Sequence, residues 1–250
     1  MIRRLAFLIC CLAISKAEAR VFNMGSESLA AYVRGSYGLK FENTLNSKSS
    51  GSDVQLDSTH PYNLSGEFGF IYSKSIVNLR FGLEVIRPGI IEDAKGTDSG
   101  GNQLYSMTSE ISVIIPKVAV EVNIKSWPRS RLFLAAGAGY ATLSARNSYS
   151  MTSAGTTSTG LTDFYEDLRG DAPTYEGSLG YETLFTDTTT FVLEGGYRSL
   201  LFDTVTHNRD AIGFQGPVSK GDVAKNMDGT NRSLDLSNTF IGFGFRFWLR

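Results

Sequence analysis

Residues 66–85 read GEFGFIYSKSIVNLRFGLEV, and their side chains alternate on both sides of a short Ser-Lys-Ser turn. Phe68, Phe70 and Tyr72, then Val77, Leu79, Phe81, Leu83 and Val85, share one face, while Glu67, Gly69, Asn78, Arg80, Gly82 and Glu84 share the other. A period of two with unlike faces marks a β-hairpin. What constrains the fold most is the make-up of the polar face. A strand face washed by water gains nothing from glycine, which packs no side chain and costs chain entropy. Here Gly38, Gly69, Gly82, Gly137, Gly139, Gly180, Gly196, Gly242 and Gly244 share that face with Arg and Glu. Tiny residues beside large charged ones fit a narrow closed cylinder, in which each glycine makes room for an Arg or Tyr from across the lumen. The oily face must then look outward, against acyl chains.

The same alternation recurs along the chain, and no segment beyond the N-terminus holds helical spacing for long. Template matching gives eight strands, near residues 29–41, 62–72, 77–87, 105–124, 132–140, 175–185, 191–201 and 241–249. In the fourth, the apolar parity changes between Ile111, Val113, Ile115 and Val118, Val120, Val122, Ile124; Pro116 sits at the switch and predicts a bulge. The connections 73–76, 125–130 and 186–189 are short. Those at 43–61, 88–104, 144–173 and 203–233 are long and rich in Ser, Thr, Gly, Asn and Asp, which predicts mobile polar loops. Long and short connections alternate, so a meander gathers each kind at its own end. Aromatic residues crowd both ends of the apolar face: Tyr37, Phe41, Tyr62, Tyr105, Tyr140 and Tyr175 toward the long connections, and Tyr72, Phe185, Phe191 and Phe247 toward the short ones. Paired aromatic girdles are what a bilayer selects.

Met1-Ile2-Arg3-Arg4, the apolar run Leu5–Ile14 and Ala17-Glu18-Ala19 read as a signal peptide over residues 1–19, followed by a single domain over 20–250. Both cysteines, Cys10 and Cys11, fall in this leader, so the exported chain is expected to have neither disulfides nor thiolate metal sites. A net charge of −1 gives no basic surplus for nucleic acid. Export together with spanning by strands implies the outer membrane of a Gram-negative bacterium. The expected fold is an all-β, eight-stranded antiparallel up-and-down transmembrane β-barrel with four long extracellular loops and three short periplasmic turns.

Strand parity sends Glu67, Glu84, Glu121, Glu176, Glu182 and Glu194 inward with Arg34, Arg80, Lys117, Arg198 and Arg246. Unpaired charges would be costly in so tight a space, so a network is expected through Arg34, Glu67, Arg80, Glu84, Glu194, Arg198 and Arg246. Within it, Glu67 should lie near Arg34 or Arg80, and Glu194 near Arg246. Such a network reads as a plugged structural core, or alternatively as a narrow gated channel for small solutes. The only histidines, His60 and His207, lie in long connections. No His-x-Ser pattern, calcium loop or phosphate-cradling glycine motif is present, so neither catalytic residues nor metal or cofactor sites are expected.

LFLAAGAGYA (132–141), LEGGYRSL (193–200) and the terminal FIGFGFRFWLR resemble the small eight-stranded outer-membrane barrels of the OmpA-transmembrane, OmpX and opacity-protein type. The resemblance covers essentially the whole exported chain. It implies that Gly242, Phe245 and Phe247 form a C-terminal signal for the outer-membrane assembly machinery. Phe240 and the run-on Trp248-Leu249-Arg250 depart from that signal. It also implies contact with lipid and lipopolysaccharide, a monomeric state, and a host or envelope partner met through 43–61, 88–104, 144–173 and 203–233 in a structural, adhesin-like or antigen-like role. A lipid-A-modifying enzyme is the remaining alternative on such barrels, and its motifs are missing. Met151, Leu161, Phe164, Tyr165, Ile212, Phe214 and Val218 are expected to pack the last two loops on each other.

Overall fold

The computed structural model describes residues 28–39, 55–56, 62–74, 76–227 and 229–249. The leader, Lys40, Phe41, His60 and most of the connection 43–61 lie outside the described residues. In chain order the strands are β1 (Leu29–Leu39), β2 (Gln55–Leu56), β3 (Tyr62–Lys74), β4 (Val77–Pro88), β5 (Ile91–Thr97), β6 (Gln103–Trp127) and β7 (Ser130–Met151). After the short helix α1 (Ser153–Thr159) come β8 (Phe164–Leu184), β9 (Thr189–Phe202), β10 (Thr206–His207), β11 (Ala211–Gly213), β12 (Gly216–Val218), β13 (Leu234–Asp235) and β14 (Asn238–Trp248).

Strands β1, β3, β4, β6, β7, β8, β9 and β14 form a ring, each antiparallel to its neighbours. The last strand returns to the first in continuous register from Ala30↔Trp248 to Leu39↔Thr239. Closure pairs the ladder around the whole circumference, so no open edge is left at that level. The short turns lie at one end, called the lower end here, and the long connections at the other.

In the opening hairpin, Phe68 and Phe70 are 56% and 58% exposed while Glu67 and Glu84 are 3% and 0% exposed. This barrel is inside out. Its outer belt carries Val33, Phe68, Phe81, Val118, Leu134, Leu179, Leu193 and Phe243. Tyr37, Tyr62, Tyr140 and Tyr175 ring its upper margin, with Tyr37 and Tyr62 stacked at 5.9 Å. Strand β1 has 11 residues, about the number that crosses a bilayer at a tilt.

Strands β6, β7 and β8 run to 25, 22 and 21 residues, about twice that length. Much of what reads as mobile loop in 88–104 and 144–173 is therefore sheet: β5 pairs with β6 from Ile91↔Ser109, and β7 with β8 as far as Tyr149↔Phe164. The Ser- and Thr-rich composition that suggests a loop is the water-facing side of these extensions. Turns remain at 98–102 and around α1, whose N-cap Thr152 accepts a hydrogen bond from Gly155 N–H.

Above the tyrosine ring both faces of the sheet change chemistry at one level. Outward residues pass from Ile114, Tyr140 and Tyr175 to Ser112, Thr142 and Asp171. Inward residues pass from Lys117, Glu176, Arg198 and Glu84 to Ile115, Ala172, Leu200 and Ile86. The expected bulge at Pro116 is absent, because Ile114↔Thr142 and Lys117↔Gly139 keep one register; the slip in this pair lies at Asn123/Lys125. Ile111, Val113 and Ile115 point inward on the same parity as Lys117 and Glu121. Their surroundings change, and the strand does not slip.

Candidate functional site

The inward side chains below the inversion form two ionic tiers. Nearest the turns, Arg246 reaches Glu121 at 2.7 Å and Glu182 at 2.8 Å, and Arg131 reaches Glu182 at 2.6 Å. Above them, Arg34 binds Glu67 at 2.6 Å and Glu194 at 2.8 Å, and Arg198 binds Glu84 at 2.5 Å. Lys117 joins Glu67, Glu84 and Glu176 at 2.8, 3.1 and 2.8 Å. Arg80 links the tiers, lying 3.2 Å from Glu121, 3.2 Å from Glu194 and 3.1 Å from Glu176. Among the described residues, Glu67, Glu84, Glu121, Glu176, Glu182 and Glu194 match Arg34, Arg80, Lys117, Arg131, Arg198 and Arg246 one for one. Removing so many ions from water is tolerable only when each carries several charge-assisted bonds.

Aromatic rings complete the packing. The guanidinium groups of Arg34 and Arg198 lie 5.4 and 5.5 Å from the centroid of Phe240, and Arg246 lies 5.0 Å from Phe133. Two glycines are set by close approach: a Cβ at Gly82 would meet the hydroxyl of Tyr32, which donates to Glu67, and one at Gly180 would meet the Phe133 ring. The void bounded by Arg34, Arg80, Glu194 and Arg246 measures about 10 Å³, room for roughly one water.

The structure thus brings Arg34, Glu67, Arg80, Glu84, Glu194 and Arg198 into one connected group. The expected Glu194–Arg246 pair is not formed. Glu194 stands opposite Gly242, whereas Arg246 stands opposite Thr190, two inward positions nearer the turns, where Glu121 and Glu182 take it. Arg131 is an added member; it is the second residue of β7, and its alternation with the lipid-facing Leu132 is the available signal. Gly242 faces the lumen, Phe247 is exposed on the outer belt, and Phe245 packs edge-on against Phe185 and Phe191.

Above the ions the interior is oil. Ile86, Ile111, Val113, Ile115, Leu143, Leu168 and Leu200 of the wall pack with Val205, Ala224, Leu234 and Leu236 from the connection after β9. That connection is a stopper pinned by strand pairing, Leu234↔Phe202 and Thr206↔Arg169, in place of the expected mobile loop. Still higher, Tyr105, Tyr149, Phe164 and Phe214 form a ring cluster, with Met151 packed on it. Tyr105, expected in the outer girdle, is 1% exposed within this cluster. Of the residues expected to hold the loops together, Met151, Phe164 and Phe214 do so, while Tyr165 and Ile212 are exposed.

The stopper encloses charge of its own. Arg232 binds Glu166 at 2.5 Å and the carbonyl of Lys225 at 2.8 Å. His207 is buried beside them, its backbone N–H held by the carbonyl of Asp222 and its Nδ1 without a hydrogen bond. Burial pushes its imidazole below the ordinary value of 6.5; Glu166 opposes the shift and Arg232 adds to it.

Ring closure, an apolar outer belt and a neutralised ionic interior together decide the architecture. This is the architecture of a small outer-membrane β-barrel. No protein-family model matches the chain, and no curated protein sequence does. Among solved structures, the outer-membrane protein OprG of Pseudomonas aeruginosa is similar at 14% identity and a TM-score of 0.48, covering 91% of this chain and 100% of that one. The outer-membrane protease OmpT of Escherichia coli is similar at 10% identity and a TM-score of 0.48, covering 92% and 99%. The attachment invasion locus protein Ail of Yersinia pestis follows at 13% identity and a TM-score of 0.41, covering 88% and 99%. The barrel assignment rests on this chain's own register and exposure.

Proposed function

We propose that this chain is an integral barrel of a Gram-negative outer membrane, closed to solutes, that carries a rigid tower of strands out of the bilayer as a surface for recognition. One observation supports closure above all: ions matched one for one below, and an apolar stopper continuous with the wall above. A conducting lumen needs a wetted path, whereas the charges of both tiers are buried and paired with one another. The tower, whose outer side is Ser, Thr, Arg and Asp, is the end that faces outward in this reading. The wall is lipid-facing all round, which favours a monomer. Phe245 and Phe247 on the last strand are the side chains that assembly machinery would meet. The reading includes no catalytic step or cofactor, so labelled lipid A incubated with the folded protein should keep its acyl chains, and acyl loss or transfer would contradict it. Planar-bilayer recording tests closure: membranes containing the protein should show no steady conductance, and stable porin-sized openings would contradict it.

A further inference from the structure

On the outer side of the tower lies a cleft of about 380 Å³ with a floor of hydroxyl groups. Ser106 stands opposite Ser150, and Thr108 opposite Ser148, which in turn stands opposite Tyr165. The floor is thus three hydrogen-bonded strands wide and rigid. One wall is Asp93. Between Ile91 and Ala94 strand β5 carries an extra residue against β6, which turns Glu92 and Asp93 outward in succession. Asp93 takes a left-handed backbone, φ 51°, the one positive φ at a non-glycine residue among those described. The opposite wall is Asp163, Phe164 and the exposed Tyr165. Asp163 is fixed by accepting from Met151 N–H at 2.7 Å and from Ser150 Oγ at 3.1 Å, and its oxygens retain spare lone pairs.

We infer that this cleft binds a neutral saccharide. The lining itself holds two carboxylates and no basic side chain, which disfavours an anion inside the cleft, although Lys95, opposite Ser106, and Arg209, over Tyr165, stand at its rim. Carboxylates accept from neighbouring sugar hydroxyls, Ser and Thr both donate and accept, and the half-exposed Tyr165 ring, which already has Arg209 5.7 Å from its centroid, adds an aromatic surface. A single metal ion fits poorly. Asp93 lies on β5 and Asp163 is bonded to β7, two strand spacings away, so the carboxylates stand roughly 10 Å apart. A calcium ion needs its oxygens at about 2.3–2.6 Å. The bulge and left-handed Asp93 aim one wall at this cleft, and strain of this kind collects at binding sites.

The inference deepens the proposed surface role and rests on the tower facing outward. The test uses the full barrel in lipid nanodiscs on arrayed saccharides: neutral oligosaccharides of lipopolysaccharide origin, neutral host-type glycans, and sialylated and sulfated ones. Neutral sugars should be retained, and which neutral set is retained identifies the source. Tyr165→Ala and Asp93→Gly should each lower retention at least tenfold, while Asp98→Asn at the nearby turn leaves it unchanged. Because glycine relieves the left-handed strain, Asp93→Gly should melt no lower than the parent protein while losing the sugar. Retention of charged glycans only, retention only with added calcium, no retention, or retention indifferent to both variants would overturn the site. Orientation is read separately, with a membrane-impermeant maleimide on intact cells carrying Ser148→Cys. Labelling without sugar retention sinks the saccharide site alone; absence of labelling sinks the outward tower.

Discussion

Below the ring formed by Tyr37, Tyr62, Tyr140 and Tyr175 the barrel keeps ions inside and hydrocarbon outside; above it the strands that continue, β6, β7 and β8, do the reverse. Strand β6 shows both regimes on one unbroken parity. Lys117 and Glu121 point into the lumen with Val118 and Val120 against lipid, and ten residues higher Met107 and Ile111 point inward with Thr108 and Glu110 in water. Burial alone does not set which residues a β-barrel places inside. The solvent beyond the wall does, and the wall chemistry follows it on both sides at once. The lower part is held by charge-assisted bonds, the upper part by apolar packing like that of a soluble domain.

The comparison breaks most sharply by placing the same charge in each interior. Val113→Asp puts an unpaired carboxylate in the apolar stopper and should cost about 3–5 kcal/mol, read as loss of heat-modifiable folded barrel. Arg80→Met in the ionic tier should cost a similar amount, because it leaves Glu121, Glu176 and Glu194 short of one cation. A matched Arg232→Met/Glu166→Gln pair removes both partners from the stopper and should be far milder than either single change, as urea unfolding in vesicles would show. On the outer face, Val118→Arg meets lipid and should cost about 2–4 kcal/mol, whereas Thr108→Arg meets water and should be near neutral.

Smaller effects sharpen the comparison. Gly180→Ala drives a methyl into Phe133 and should cost about 1–3 kcal/mol in the same unfolding assay. His207 gives the stopper a pH dependence. Its folded value lies below 6.5, so the open segment binds the proton more tightly and stability falls as pH drops through 6.5 toward the folded value. Protection factors in 203–237, corrected for the intrinsic exchange rate at each pH, should therefore fall between pH 7 and pH 5, and His207→Leu should flatten the profile. An unchanged profile would exclude His207 as its source.

How far the sequence was legible follows the same division. Strands β1, β3, β4, β9 and β14 sit almost wholly in the lower regime, and simple alternation read their inward and outward residues correctly, including Arg34, Glu67, Arg80, Glu84 and Arg198. The rule failed where the surroundings changed. Ile111–Ile115 looked like a slipped strand because one apolar face was assumed throughout. Serines in NSYS looked like loop because polar outward positions were not expected of a membrane barrel, whereas TSAGTTST does form the connection, as the N-cap and helix α1. The pairing of Glu194 with Arg34 instead of Arg246 depends on the stagger of strands around the ring, which alternation does not carry.

The double inversion is tested most directly by nitroxide labels placed singly along the outward positions of β6, at Thr108, Glu110, Ser112, Ile114, Val118 and Val120, with the protein in bilayers. Power saturation should show oxygen dominating at Val118, Val120 and Ile114, and a water-soluble nickel chelate dominating from Ser112 upward. A lipid signature extending through Thr108, or a water signature at Val118, would contradict it.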